Sequence, residues 1–329
     1  MTALSILDLV RVTEQTSTRT ALDNARDLAA HAETLGYRRY WVAEHHNMRG
    51  IASAATSLVI SHIAAGTTSI RVGAGGIMLP NHSPLVIAEQ FGTLATLYGD
   101  RIDLGLGRAP GTDQLATRAL RRDPASSEHF PQDVLELQAL LAVPQPGQRV
   151  VAVPGAGTRV PLWILGSSTF GARLAAELGL PYAFASHFAP AALDDALRTY
   201  RQFFKPSEQL AAPHAMIGVN IIAAATDADA KRLWTTQQMS FTNIFRNTRG
   251  LSQAPIDDIE AYWTPVERAQ AMQMLSCSIV GSNATVAAGM NDLIARTQAD
   301  ELMIVSDVFD HDLRKESYAR IAAAALVAA

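Results

Sequence analysis

The chain alternates between short apolar runs and longer stretches in which apolar residues recur every three or four positions. The short runs, rich in β-branched and aromatic residues, predict strands at 3–8, 39–43, 70–75, 102–106, 162–166, 181–185, 216–223 and 302–305. The 3.6-residue period elsewhere predicts helices over 18–35, 52–65, 84–98, 112–121, 130–141, 169–179, 189–203, 226–246, 283–297 and 311–327. The first helix carries its own boundaries. Ser17 and Thr18 can accept from the open N–H groups at its start, and Gly36 can take the left-handed turn that ends it. Eight strands that read as apolar throughout imply a parallel sheet covered by helices, and the count of eight favours closure into a (β/α)8 TIM barrel. Two breaks interrupt the spacing. Residues 144–161, with Pro144, Pro146 and Gly147 ahead of the run 150–155, predict a small hairpin. Residues 203–215 and 247–280 predict excursions over one rim, and no Gly/Ser linker divides the chain, so one domain over 1–329 is expected.

Polar residues collect at one end of the strands. The C-terminal ends run into Glu44-His45-His46-Asn47, Gly73-Ala74-Gly75-Gly76, Gly105-Leu106-Gly107-Arg108, Gly166-Ser167-Ser168-Thr169, Ser186-His187 and Ser306-Asp307. In a parallel barrel these segments share the rim on which active sites of this fold sit. The opposite ends, with Asp100-Arg101 and Leu180-Pro181, read as ordinary loops.

Three of these segments carry candidate chemistry. Glu44-His45-His46 admits a metal site, an acid–base group or structural hydrogen bonding. Neighbours on a strand face opposite ways and no His-x-His spacing is present, so acid–base work or polar contact to a cofactor is favoured over metal. Gly166-Ser167-Ser168-Thr169-Phe170-Gly171 lies between a strand and a helix, where hydroxyls and helix N–H groups either cap the helix or bind an anion. Arg108, one strand earlier, favours phosphate, because a guanidinium grips it bidentately. The glycines at 73–76 and 105–107 lack the spacing of a dinucleotide fingerprint; glycine inside a strand instead marks close approach of a flat ligand or another backbone.

Composition narrows the field. At 329 residues with 48% hydrophobic and 18% charged positions, the chain can bury a large core. A net charge of -4 and the lack of any basic run argue against nucleic-acid binding. One cysteine, Cys277, excludes an internal disulfide and a cysteine-based zinc site. The start lacks a signal-peptide pattern and the apolar run 321–329 is too short to span a bilayer, so a cytoplasmic protein is expected.

With these residues in hand, the chain resembles the luciferase-like monooxygenase superfamily. The likeness rests on an ordered series: Gly36-Tyr37-Arg38-Arg39-Tyr40-Trp41-Val42-Ala43-Glu44-His45-His46, Ile70 to Pro80, Pro84 to Phe91, Asp100 to Arg108, Gly166-Ser167-Ser168 and Gly179-Leu180-Pro181. The wording of 1–113, with Pro110-Gly111-Thr112-Asp113, is similar to a bacterial subgroup. The resemblance implies a flavoprotein oxidoreductase in which reduced FMN and O2 oxygenate a small organic substrate. It implies His45 as the acid–base residue beside the flavin and Arg108 on the FMN phosphate, with help from Ser167, Ser168 and backbone near Gly171. It further implies a cis peptide between Gly75 and Gly76 behind the flavin ring, and it leaves Glu44, His46 and His187 as substrate contacts. A homodimer through helices 52–65 and 84–98 is implied too, and Ala54, Ala55, Ala64, Ala65, Ala88, Gly92 and Ala95 would permit close packing there. Gly107 and Gly171 stand where luciferase has cysteine and threonine. Loss of that threonine hydroxyl suits a weakly held reduced flavin delivered by a separate flavin reductase. The superfamily also includes enzymes that use the deazaflavin F420, the alternative cofactor, for hydride transfer. A flavin-binding protein without turnover, and a barrel enzyme gripping a phosphorylated sugar, are the remaining alternatives.

Overall fold

In a computed structural model, which describes residues 2–109 and 111–327, the chain closes into a parallel barrel. Eight strands form the ring: β1 (Ala3–Asp8), β2 (Arg39–Val42), β3 (Arg71–Met78), β4 (Ile102–Gly107), β5 (Leu162–Gly166), β6 (Tyr182–Phe184), β7 (Ala215–Ala223) and β9 (Glu301–Val305). The ring closes where β9 pairs with β1, Ala3 facing Glu301 and Ile6 facing Ile304. A further strand, β8 (Ser278–Gly281), pairs with the upper half of β7, above the point where β6 ends. It lies within a stretch expected to be loop. That stretch also holds a helix opened by the capping box of Thr264 and Glu267, a signal readable in Thr264-Pro265-Val266-Glu267.

Helices cover the outside: α1 (Thr18–Thr34), α2 (Thr56–Ala64), α3 (Pro84–Tyr98), α4 (Gln114–Ala119), α5 (Phe130–Leu141), α6 (Thr169–Leu178), α7 (Leu193–Phe203), α8 (Asp227–Phe245), α9 (Pro265–Met274), α10 (Asn283–Thr297) and α11 (His311–Val327). The caps of α1 form as predicted: Ser17 accepts from the Thr20 N–H, and Gly36 takes φ +80°. Outward strand residues such as Ile6, Tyr40, Val72, Leu104 and Ile304 pack against helix residues such as Leu28, Ile60 and Phe91 to form the main core. None of the helices is long and apolar enough to cross a membrane, among the described residues.

Two loop expectations need correction. Residues 144–161 form no hairpin, because four prolines remove ladder donors and the segment coils into turns. Its Gly155 lies against α3 so closely that a side chain at Gly92 would run into the Gly155 backbone. Residues 203–214 pass over the N-terminal rim, not the rim holding the candidate site; Gln209 bonds the backbone N–H and carbonyl of Leu162 at the start of β5. Pro110 lies outside the described residues, as does the end of the apolar C-terminal run. The Gly75–Gly76 peptide is cis, as the resemblance implied, and so is Val153–Pro154.

Inside the barrel, alternate residues stack in layers, because side chains along a strand point to opposite faces. The lowest layer is charged. Arg39 donates to Glu301 at 2.9 Å and to Asp103 at 2.7 Å, and Arg71 donates to Asp103 at 2.6 Å. Trp41 Nε1 and the Ser5 hydroxyl complete the set, on Asp103 and Glu301 respectively. Asp103 and Glu301 are fully buried. The N-terminal end is therefore not the plain loop end its sequence suggested. Above it lies an apolar layer of Leu7, Trp41, Trp163, Met216 and Met303, with the two indoles edge to face at 5.1 Å.

Candidate active site

On that apolar layer, at the C-terminal ends of the strands, opens a cavity of about 540 Å³, a size usual for small-molecule sites. Glycine makes the room. The inward positions that would otherwise fill the barrel mouth are Gly75 on β3, Gly107 on β4 and Gly218 on β7, and all three line the cavity; Gly166, where a side chain would face Tyr182, lines it by its backbone.

His45 follows β2 and lines the cavity. Its Nδ1 lies 3.3 Å from the carbonyl oxygen of Gly111. A carbonyl can only accept, so the neutral ring carries its proton on Nδ1 and leaves Nε2 as an acceptor. Burial above all, with Arg11 and Arg249 nearby, lowers the His45 pKa to about 4, against the partial relief of the Gly111 carbonyl and Glu44. The ring is a neutral base at ordinary pH.

His187 follows β6 and lines the same cavity. Its ring sits over Gly218, where a Cβ would collide with Nδ1, and meets Phe188 edge to face at 4.9 Å. Burial, then the neighbouring His45, lowers its pKa to about 4. The Nδ1 atom is buried with no hydrogen-bond partner. Beside it, Gln237 of α8 donates to the Asn220 side chain at 2.7 Å, and both line the cavity. This amide pair escaped sequence reading, although Asn220 stands two positions beyond Gly218 on the inward face of β7.

Arg108, Ser167, Ser168 and Gly171 gather at the start of α6. Ser168 is the N-cap, yet its side chain makes no capping bond, so protein side chains leave the first-turn N–H groups open. The Arg108 guanidinium lies 4.0 Å from the centroid of Phe170, in that first turn. The residues expected from sequence to hold an anion thus lie together at one helix start.

Glu44, His46 and Gly76 do not line the cavity. The Glu44 carboxylate is buried and accepts from Met78 N–H at 2.9 Å, Asn81 at 3.0 Å, His82 at 2.9 Å and His46 at 2.8 Å. Burial opposes its ionisation, but His82, Asn81 and His46 more than offset this and hold its pKa below the usual value. Glu44 and His46 thus tie the end of β2 to the segment after β3, which corrects their expected role as substrate contacts. A Cβ on Gly76 would meet the Gly105 backbone, so this glycine serves strand contact. Among the described residues, no group of three or more His, Cys, Asp or Glu is arranged to hold a metal.

The family model for luciferase-like monooxygenases matches residues 2–301. The chain belongs to this family. This luciferase-like monooxygenase is 51% identical over 317 residues to an Escherichia coli K12 protein described in the same words, with 96% of this chain and 95% of that one covered. The crystal structure of apo-MsnO8 superposes with a TM-score of 0.88 at 33% identity, covering 99% of both chains. The fold is shared at TM-score 0.74 and 17% identity, over 98% of this chain and 97% of the other, with the oxygenating constituent of 3,6-diketocamphane monooxygenase from Pseudomonas putida, solved in complex with FMN.

Proposed function

We propose that this luciferase-like monooxygenase binds reduced FMN in the C-terminal cavity and oxygenates a small organic substrate with O2. The observation that carries the reading is the join of two features. An open anion site at the start of α6, reinforced by Arg108, adjoins a cavity walled by Gly75, Gly107 and Gly166. The first suits a phosphate, through helix N–H groups, the Ser167 and Ser168 hydroxyls and a guanidinium. The second leaves side-chain-free space for a flat ring above Leu7 and Trp41. The FMN held by the fold relative from Pseudomonas putida supports the same assignment.

Reduced FMN, when bound, supplies the electrons that activate O2. The chain supplies the rest. Arg108 and the α6 N-terminus hold and orient the phosphate. The apolar layer below and Phe188 and Phe241 at the side keep water away. His45 holds a proton at Nδ1 against Gly111 and can take one at Nε2 as the substrate reacts. The test is anaerobic titration with reduced FMN and with reduced F420, followed by O2 and candidate substrates. Binding of FMN and substrate-dependent formation of an oxygenated product support the reading. Turnover with F420 alone, without O2, overturns it.

A separate reductase as the source of reduced flavin belongs to the same proposal. So does a homodimer through α2 and α3: of the small residues, Ala64, Ala88 and Gly92 are consumed within the chain, while Ala55 and Ala65 are exposed. Leu58, Val86 and Leu97 remain, 71%, 43% and 64% exposed. Sedimentation of wild-type protein as a dimer, and of the Leu58→Glu, Leu97→Glu variant as a monomer, is the expected result.

A further inference from the structure

Three arginines meet on the side of the cavity away from the anion site at α6. Arg11, Arg49 and Arg249 all line it, from the loops after β1, β2 and α8. Backbone bonds join these loops: Val12 N–H donates to Gly50 at 3.0 Å and Ser252 N–H donates to Val12 at 2.9 Å. Gly50 lies so close to the Gly250 carbonyl that a Cβ would not fit. Arg108 follows β4, three strands round the barrel from β1, so the two basic groups face the cavity from different sides.

The charge balance at this cavity is one-sided. A chain of net charge -4 places four arginines in the wall and no aspartate or glutamate. Arg11 has one partner, Asp307 at 3.0 Å, while its Nε is buried with no hydrogen-bond partner. Arg49 and Arg249 are exposed, and no ion pair among the described residues holds either of them. Beside the three lie Leu9, Met48, Phe241 and Leu251. A flavin phosphate accounts for Arg108, and of the second basic group only Arg11 has an anion, Asp307. A basic cluster with more cations than anions focuses field toward an anionic ligand, and a guanidinium matches the planar fork of a carboxylate.

We propose that the molecule oxygenated here is an organic acid, its carboxylate held by Arg11, Arg49 and Arg249 and its apolar body seated on Leu9, Met48, Phe241 and Leu251. This rests on the monooxygenase reading of the same cavity. Arg11 and Arg249 act on the His45 ring electrostatically, so the carboxylate arrives beside the group that handles the proton.

The test uses purified full-length protein, octanoate and 1-octanol as probes, and calorimetry. Octanoate should bind wild type more tightly than octanol, and less tightly as salt rises. Arg49→Gln with Arg249→Gln should lose roughly 10-fold or more of octanoate affinity, on the scale of charge-assisted hydrogen bonds. Octanol binding should change less than about two-fold, and Arg49→Lys with Arg249→Lys should regain part of the loss. The same variants titrated with FMN and riboflavin separate the two sources of anion. Unchanged FMN affinity supports a substrate site; selective loss of FMN over riboflavin overturns it, because the arginines then hold flavin phosphate. Equal binding of octanoate and octanol also overturns it, as does loss of octanoate in Arg108→Gln alone. Failure of wild type to bind FMN, with octanoate binding intact, would fault the flavin reading and not the acid site.

Discussion

The two ends of the barrel interior solve opposite problems with the same strands. At the N-terminal end, the first inward positions are Ser5, Arg39, Arg71, Asp103 and Glu301, and they form a closed network in which each carboxylate meets at least one arginine. Burial works against the charge on Arg39, but Asp103 and Glu301 hold its pKa above the usual value. At the C-terminal end, the inward positions of the same β3 and β4 strands are Gly75 and Gly107, and burial keeps the two histidines that line the cavity neutral. One end is filled and internally satisfied. The other keeps space and unspent hydrogen-bonding capacity: a free His45 Nε2, a bare His187 Nδ1 and an uncapped α6. Stability and function are thus separated along the barrel axis, and substitutions at the two ends should behave differently.

The largest effect is expected at the filled end. Asp103→Ala leaves Arg39 with Glu301 alone, takes the carboxylate from Arg71 and leaves Trp41 Nε1 without its acceptor. Removing one partner of a buried ion pair costs about 3–5 kcal/mol. Urea unfolding should show that loss, and a change below about 1 kcal/mol would mean the network contributes little beyond packing.

At the open end the expected loss is in rate. His45→Ala should lower product formation by ~10²-fold, the scale of general acid–base catalysis, while stability and flavin affinity stay near wild type. That factor corresponds to about 2.7 kcal/mol of barrier. An unchanged yield would reduce His45 to a wall residue. Arg108→Ala should weaken reduced FMN binding by about 1.5–3 kcal/mol and leave riboflavin, which lacks the phosphate, nearly indifferent. Equal losses for both would remove Arg108 from the phosphate.

The open end was the more legible in sequence, and the reason is physical. Functional side chains on a barrel cluster just past the strands, so Glu44-His45-His46, Arg108 and Gly166-Ser167-Ser168 announce themselves as polar residues after apolar runs. The charged layer sits inside the strands, one residue in every two, and strands read as continuous apolar runs conceal it. Counting by twos would have exposed it: Arg39-x-Trp41, Arg71-x-Gly73-x-Gly75, Asp103-x-Gly105-x-Gly107 and Glu301-x-Met303 each open on a charge. Glu44 was placed at the right end but given the wrong partners, because its acceptors' donors come from Met78, Asn81 and His82, a separate loop. Arg49 and Arg249 were invisible for a similar reason: no local pattern says that loops 200 positions apart will share backbone bonds.

The smallest expected effect separates the two ends by pH. His45 and His187 have folded pKa values near 4, against an ordinary value of 6.5. Between those values the unfolded chain binds protons that the folded chain refuses, so stability rises with pH across this window and falls as the solution is acidified through it. Below about 4 both states are protonated and the penalty stops growing. Glu301 behaves differently. Burial would raise its pKa, but His214, Arg39 and Ser5 bring it below the ordinary value of 4.5. Its contribution is complete above 4.5 and is lost only as pH drops through the lower folded value. The open end should therefore weaken the protein first, between 6.5 and 4, and the filled end only at more acid pH. In the double variant His45→Asn, His187→Asn, proton uptake on unfolding at pH 5 should fall by about two, one per histidine. Glu301→Gln should leave uptake between pH 5 and 6.5 as it was, while lowering stability at neutral pH. Calorimetric unfolding across a pH series measures both. If the double variant keeps the wild-type slope between pH 4.5 and 6.5, the histidines titrate alike in both states and the electrostatic contrast between the two ends fails.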